Sequence, residues 1–288
     1  MQQPLLNFII LFLSLFGCSY SEKYDLCIVT IFRDDAKYLP EWIDFHLAQG
    51  VDHIYLYNNL SADNYAEILQ PYILKKQVTL TNWPYDYTNG NDWNTIQCNA
   101  YTHGIQHSKS KWVACLDTDE FLFSPEDDLK RILTYYKQYG GVAVNWVMYG
   151  TSNVAKIPVG KKMIECLLMR APIDFIGNRS VKTIVQVKYF DNCVNPHWMI
   201  YKNGKYAVNE NFIHVPYHDS DISVSRFRIN HYWSRDMDFF YNVKLPRRAK
   251  WYNDSQSEID REKLMNAEFD DCIMKLSWPI CDHMQKVY

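Results

Sequence analysis

Asp117, Thr118, Asp119 and Glu120 interrupt an apolar run in "KWVACLDTDEFLF", residues 111–123. Three carboxylates crowded at the end of a buried stretch repel one another unless a cation or hydrogen-bond donors compensate. Two aspartates one residue apart can hold a divalent ion through hard oxygen ligands, leaving positions open for phosphate oxygens. Asp119 suits direct coordination. Asp117 suits either the same ion or a nearby ribose. The competing reading is a solvated acidic turn opening a helix, where carboxylates suit the N-terminal dipole. Glu120 is the one of the three expected to be structural.

The elements around this turn decide between those readings. Apolar, β-branched runs at residues 25–32, 53–58, 77–83 and 111–117 have strand character. Helical spacing appears between them, at residues 38–50, 64–73 and 93–108, with Gly50 as a stop signal and Pro71 as an end or kink. Further along, residues 127–139 are expected to be helical. Residues 141–150, 162–170, 181–190 and 224–235 are expected to be strands, and the remainder helical. Strand–helix alternation predicts an α/β fold with a mostly parallel, Rossmann-like sheet, flanking helices and right-handed crossovers. Ligands in such sheets bind at the carboxyl ends of strands, where Asp117 falls. No linker is visible, so residues 23–288 are expected to form a single domain.

The 288 residues carry a net charge of −3, and no long basic run occurs, which argues against a nucleic-acid partner. The aromatic share of 16% suits either a core or a pocket for ring-shaped ligands. The eight cysteines form no Cys-x-x-Cys pair, which argues against structural zinc. Cys27 and Cys115 are expected in the core, and Cys272 and Cys281 would pair in an oxidising compartment. Residues 5–17 are apolar and uncharged, so residues 1–22 are expected to be a signal peptide or membrane anchor. That places the chain in the secretory pathway, the cell envelope or at a membrane, or in the cytoplasm if the segment is no signal. Asn-x-Ser sequons begin at Asn59, Asn178 and Asn253.

"LDTDEF" in this strand order looks like the Asp-x-Asp motif of GT-A glycosyltransferases. "FRDDAKYLPEWIDFHLAQGVDHIYLYNNLSAD" (residues 32–63) resembles the opening of glycosyltransferase family 92, the former domain-of-unknown-function 23 group, and of related family 2-like enzymes. Asn58 stands where that pattern usually has Asp. "NWVMYGTS" followed by "IEC", "RSVKTIV" and "NHYWSRDMDFFYNVKLPRRA" resemble its later segments. The resemblance runs from about Asp25 to Ala249. It implies a GT-A-type fold, a nucleotide-sugar donor, UDP-linked, a Mn²⁺ or Mg²⁺ ion, and inverting transfer to a glycan or glycoconjugate. Galactose transfer is associated with the family.

The resemblance also implies roles. Metal ligands would be Asp117, Asp119 and a late histidine, His231, with His197 and His214 as lesser candidates. From their positions, Thr30, Arg33, Asn59, Ser61 and Asp63, which follow strand ends, are expected to contact the donor, with Gln97 on a facing helix, Asp117 at the turn and Lys182 in reach of phosphate. An inverting transfer needs a base for the acceptor hydroxyl. Glu165 falls at the matching acid, with Asp174 as its rival, and Trp146 would offer a platform to the acceptor sugar. Two other readings compete. A nucleotidyltransferase would carry a Gly-rich phosphate loop after the first strand, and "TIFRDDAKY" contains no glycine. A non-catalytic carbohydrate-binding lipoprotein would not need the acidic turn.

Overall fold

The computed structural model describes residues 22–86, 92–249 and 255–276. Among the described residues the strands run in the order β1 Tyr24–Phe32, β2 His53–Asn58, β3 Val78–Asn82, β4 Ser110–Cys115, β5 Glu120–Phe123, β6 Gly141–Met148, β7 Met169–Arg170, β8 Val181–Gln186, β9 Phe190–Asn195, β10 Trp198–Tyr201, β11 Ala207–Val208, β12 Arg228–His231 and β13 Glu268–Phe269. The helices are α1 Leu39–Ala48, α2 Tyr65–Leu74, α3 Trp93–His107, α4 Leu129–Leu133, α5 Met163–Cys166, α6 Met237–Phe239, α7 Leu245–Ala249 and α8 Ser255–Leu264.

One nine-stranded sheet organises the domain, in the order β3-β2-β1-β4-β8-β6-β12-β5, with β11 added beside β6. Strands β3, β2, β1, β4, β6 and β12 point one way, and β8 and β5 oppose them. This is the mixed α/β, mostly parallel single domain that the alternation predicts. Strand β1 is covered on both faces, as a central parallel strand must be: it is buried from Leu26 to Phe32. Alternate residues therefore feed two cores. Leu26 and Ile28 join α1 and α2, whereas Cys27 and Val29 pack against α3. Cys27 and Cys115 are fully buried there, as expected.

Local chemistry sets the helix limits. Pro40 lies in the first turn of α1, where its missing N–H costs no bond, and Gly50 beyond the end takes φ +87°. Asp92 caps α3 by accepting from the Thr95 N–H at 2.7 Å. Helix α2 passes through Pro71 to Leu74 instead of stopping at the proline.

Four expected elements differ. Residues 162–170 form the short α5 and two-residue β7, not a strand, because the Glu41 carboxylate accepts from the Met163 and Ile164 N–H groups and starts a helix there. Residues 181–190 do not make one strand: β8 ends at Gln186, and a 3₁₀ turn at Val187–Tyr189 redirects the chain into β9. The helix at 127–139 shrinks to α4 and a 3₁₀ turn at Thr134–Tyr136. The strand at 224–235 shrinks to β12. Residues 5–17, Asn253 and Cys281 lie outside the described residues. No helix among the described residues is long and apolar enough to cross a membrane. Asn59 and Asn178 are buried and hydrogen-bonded, so neither is open to glycosylation in the folded chain.

Candidate active site

Strand β4 stops at Cys115, two residues before Asp117, and β5 begins at Glu120. Between them "LDTD" forms a closed turn. The Glu120 N–H donates to the Asp117 carbonyl at 3.2 Å, and the Glu120 carboxylate accepts from the Asp117 N–H at 2.8 Å. Thr118 donates its hydroxyl proton to Asp35 at 2.6 Å, and Arg235 donates to the same carboxylate at 2.7 Å. The Arg235 guanidinium stacks on Tyr38, 3.8 Å from the ring centroid. The acidic turn is thereby tied to the loop after β1 and to the segment after β12. These contacts exclude the reading of a free solvated turn.

Antiparallel β8 brings Lys182 to the carboxyl end of β4. Its ammonium lies 2.9 Å from Asp117 and 3.6 Å from Glu120. Asp117 also accepts from Gln97 at 2.5 Å and from Tyr101 at 3.1 Å, both on α3. Burial would raise the Asp117 pKa, but Lys182 and His231 together hold the carboxyl below its usual range. Burial pushes Glu120 well up against the pull of Lys182. Lys182 itself is stabilised as a cation: its two carboxylate partners overcome the desolvation that would lower it.

Strand β12 ends at His231, which pairs with Glu120 on one side and Met148 on the other. His231 Nε2 lies 3.4 Å from Asp119 Oδ1, and Lys244 Nζ lies 3.6 Å from Asp119 Oδ2. Burial would raise Asp119, yet His231 and Lys244 pull its carboxyl far below its usual range. Burial lowers His231 despite Asp119, which favours the neutral imidazole that a metal requires. The Trp146 ring lies edge-on to His231 at 4.3 Å and to His197 at 5.1 Å. His197 Nδ1–H donates to the Val181 carbonyl at 2.9 Å, and burial takes its pKa down to about 4.

Asp119 and His231 fit a divalent ion as a two-ligand, open site. Their donor atoms are close enough for neighbouring coordination positions, and Mg²⁺-type sites commonly combine one or two protein ligands with phosphate oxygens and water. Among the described residues, no group of three or more His, Cys, Asp or Glu is placed to hold a metal alone. The Asp117 side chain is 36% exposed, so it can meet a ligand, but three protein donors already orient it.

The fold thus gathers Gln97, Asp117, Asp119, Trp146, Lys182 and His231 around one turn. The other predicted residues have different surroundings. Thr30 is buried within β1, short of the strand end, and its hydroxyl has no partner among the described residues. The Asn59 amide donates to the Trp83 and Tyr85 carbonyls, Ser61 accepts from the Asp34 N–H, and Asp63 accepts from the Ala36 N–H. These three brace the loops beside the turn. Arg33 is exposed, 3.9 Å from Asp34. Glu165 accepts from the Lys162 N–H at the start of α5, and Asp174 is exposed. No hydrogen bond or ion pair among the described residues joins either to the acidic turn. Trp146 is buried between two imidazoles, which corrects its reading as an acceptor platform: so covered a ring has no open face for a sugar. His214 sits apart against Tyr206, with ring centroids 4.6 Å apart.

Sequence reasoning missed Asp35, Tyr101, Arg235 and Lys244. The basic spacing of "SRDMDFFYNVKLPRRA", which places Arg235, Lys244, Arg247 and Arg248 beyond His231, was the available signal.

A sequence profile of glycosyltransferase family 92 matches residues 22–273. A family 92 protein of Ricinus communis is 27% identical over 151 residues, covering 47% of this chain and 25% of the relative. One from Oryza sativa subsp. japonica is 29% identical over 144 residues, covering 48% and 23% respectively. The chain thus spans about a quarter of the length of the curated relatives it matches. Among solved structures, S. aureus TarS 1–349 is similar with a TM-score of 0.41 and 11% identity, over 83% of this chain and 69% of that one. The same TarS fragment in complex with UDP-GlcNAc gives 0.39 and 12%, over 83% and 70%.

Proposed function

We propose that this chain, which belongs to glycosyltransferase family 92, transfers a hexosyl group from a UDP-linked sugar to a hydroxyl of a glycan or glycoconjugate, with inversion. The observation that carries the donor site is the Asp119–His231 pair beside Lys244, at the carboxyl ends of β4 and β12. Asp119 and His231 would hold Mn²⁺ or Mg²⁺. A divalent ion there would stabilise the charge that develops on the departing diphosphate. Asp117, oriented by Gln97, Tyr101 and Lys182, has an exposed edge that suits acceptance from a ribose hydroxyl. Trp146 and the His231 backbone pairing keep the imidazole aimed at Asp119. Inversion needs a base on the face of the sugar opposite the leaving group. Glu165 is the first candidate for it and Asp174, which is exposed, the second. The apolar stretch at residues 5–17 would bring the enzyme to a membrane or into a secretory route.

Calorimetry with UDP, with and without Mn²⁺, on wild type and Asp119→Ala tests the donor site. Wild type should bind UDP more tightly with Mn²⁺, and the variant should lose that dependence. Metal-independent UDP binding that survives unchanged in Asp119→Ala would remove the metal assignment. A screen of UDP- and GDP-sugars for nucleoside diphosphate release then identifies the donor.

A further inference from the structure

Lys244 differs from Arg248 and Arg261, the other described cations that approach the Trp233 indole. It closes a five-residue π-helical turn, Phe240–Lys244, between α6 and α7. Single π turns inside helical segments often occur at functional sites, because the extra residue re-aims a side chain. Here the turn sends Lys244 over the face of Trp233, with Nζ 4.8 Å from the ring centroid, and on toward Asp119. Arg248 and Arg261 also approach that indole, at 6.0 and 5.0 Å. Both have Glu258 as a counter-ion, with Arg248 at 2.6 Å and Arg261 at 3.8 Å. Lys244 has only the 3.6 Å approach to Asp119, too long for a hydrogen bond, and no hydrogen bond to any described residue.

A largely buried ammonium normally engages its three donors, because removing them from water without compensation is costly. The Lys244 side chain is only 14% exposed, yet it makes no hydrogen bond to a described residue and stands beside the oxygen that a metal ion would take. Lys182, on the other side of the same turn, shows the alternative arrangement, hydrogen-bonded to its carboxylate at 2.9 Å. Lys244 and Asp119 are thus paired by charge without being locked by geometry.

We propose that Lys244 is the resident counter-cation of Asp119, and that it exchanges partners when the donor arrives. In the empty site it neutralises Oδ2. A divalent ion held by Asp119 and His231 would take over that neutralising role and free the ammonium for the diphosphate oxygens, where its three N–H groups find acceptors. The exchange keeps the buried carboxylate neutralised before and after binding. It also makes the ammonium available to the leaving group. This inference rests on the donor site proposed above.

Calorimetry on the full chain, comparing wild type with Lys244→Met, tests it. Methionine keeps an apolar stem on Trp233, and a circular dichroism spectrum matching wild type verifies folding. Removing the competing cation should tighten binding of Mn²⁺ alone by several-fold. Removing the phosphate partner should weaken UDP binding in saturating Mn²⁺ by roughly ten-fold or more, the scale of one charge-assisted hydrogen bond. These opposite signs are what a merely structural lysine would not produce. UDP affinity within two-fold of wild type overturns the proposal, and so does Mn²⁺ affinity that stays level or falls. If wild-type UDP binding proves independent of Mn²⁺, the metal reading of Asp119 fails instead, and the effect of Lys244→Met on UDP binding remains the separate measure of the lysine.

Discussion

Asp117 and Asp119 are two residues apart and differ in how they are held. Asp117 is the more exposed, with 36% of its side chain open against 13% for Asp119, yet it is the more tightly hydrogen-bonded. Gln97, Tyr101 and Lys182 all donate to it within 3.1 Å. Asp119 is the more buried and, among the described residues, has only the longer approaches of His231 and Lys244. The difference suits the two tasks proposed for them. A carboxylate that must present one edge to a neutral hydroxyl benefits from fixed orientation. A carboxylate that must accept an arriving cation is better matched by partners that can leave. Burial strengthens the field at Asp119, since charges interact more strongly away from water.

The sharpest way to break this comparison is to remove the lysine from each half. Lys182→Met strands Asp117 and the fully buried Glu120, and should lower the unfolding free energy by about 3–5 kcal/mol, the usual cost of breaking a buried ion pair. Lys244→Met should cost less than Lys182→Met, because no hydrogen bond is lost and His231 still faces Asp119. Urea unfolding of both variants at neutral pH measures the difference. Equal losses would mean that both lysines are structural.

Acid should act on the base that the two halves share. His46 on α1 donates from Nδ1 to the Trp42 carbonyl at 2.8 Å, and its Nε2 accepts from the Leu122 N–H at 3.1 Å, which bolts β5 to α1. Burial lowers its pKa to about 3, so the folded chain resists protonation that the unfolded chain accepts. A group with a depressed folded pKa contributes stability above its unfolded value near 6.5, and that stability is lost as pH falls toward 3. Unfolding free energy should therefore drop by on the order of 2–3 kcal/mol between about pH 6.5 and 4.5. His46→Gln should flatten this slope whatever its absolute stability. A slope that persists in the variant would assign the acid sensitivity elsewhere.

The smallest expected effect is at Arg33. Its ion pair with Asp34 is exposed and 3.9 Å long, so Arg33→Ala should change stability by less than about 0.5 kcal/mol. Its effect on UDP affinity should be smaller than that of Lys244→Met. A larger loss would move the main diphosphate contact from the segment after β12 to the loop after β1.

What could be read in advance followed from local signals. The β-branched runs at β1, β2 and β4 and the helices between them have periodicities set by the backbone itself, so the parallel half of the sheet was legible. So was the acidic turn at a strand end, because carboxylates there conflict with the apolar residues on either side. The second half was harder. Residues 162–170 were expected to be a strand and fold partly as α5, since the carboxylate that starts the helix, Glu41, lies 122 positions from Met163 in sequence.

By itself, then, the sequence determined that an acidic turn would cap a buried strand in an α/β sheet, because composition and period act over a few residues. It could not determine which carboxylate would be gripped and which left loosely paired. That depended on Lys182 arriving on an antiparallel strand and on a π turn carrying Lys244 over Trp233. Each lysine reaches its aspartate from a distant part of the chain. Electrostatic strength depends on distance and burial, and those quantities exist only once the chain has folded.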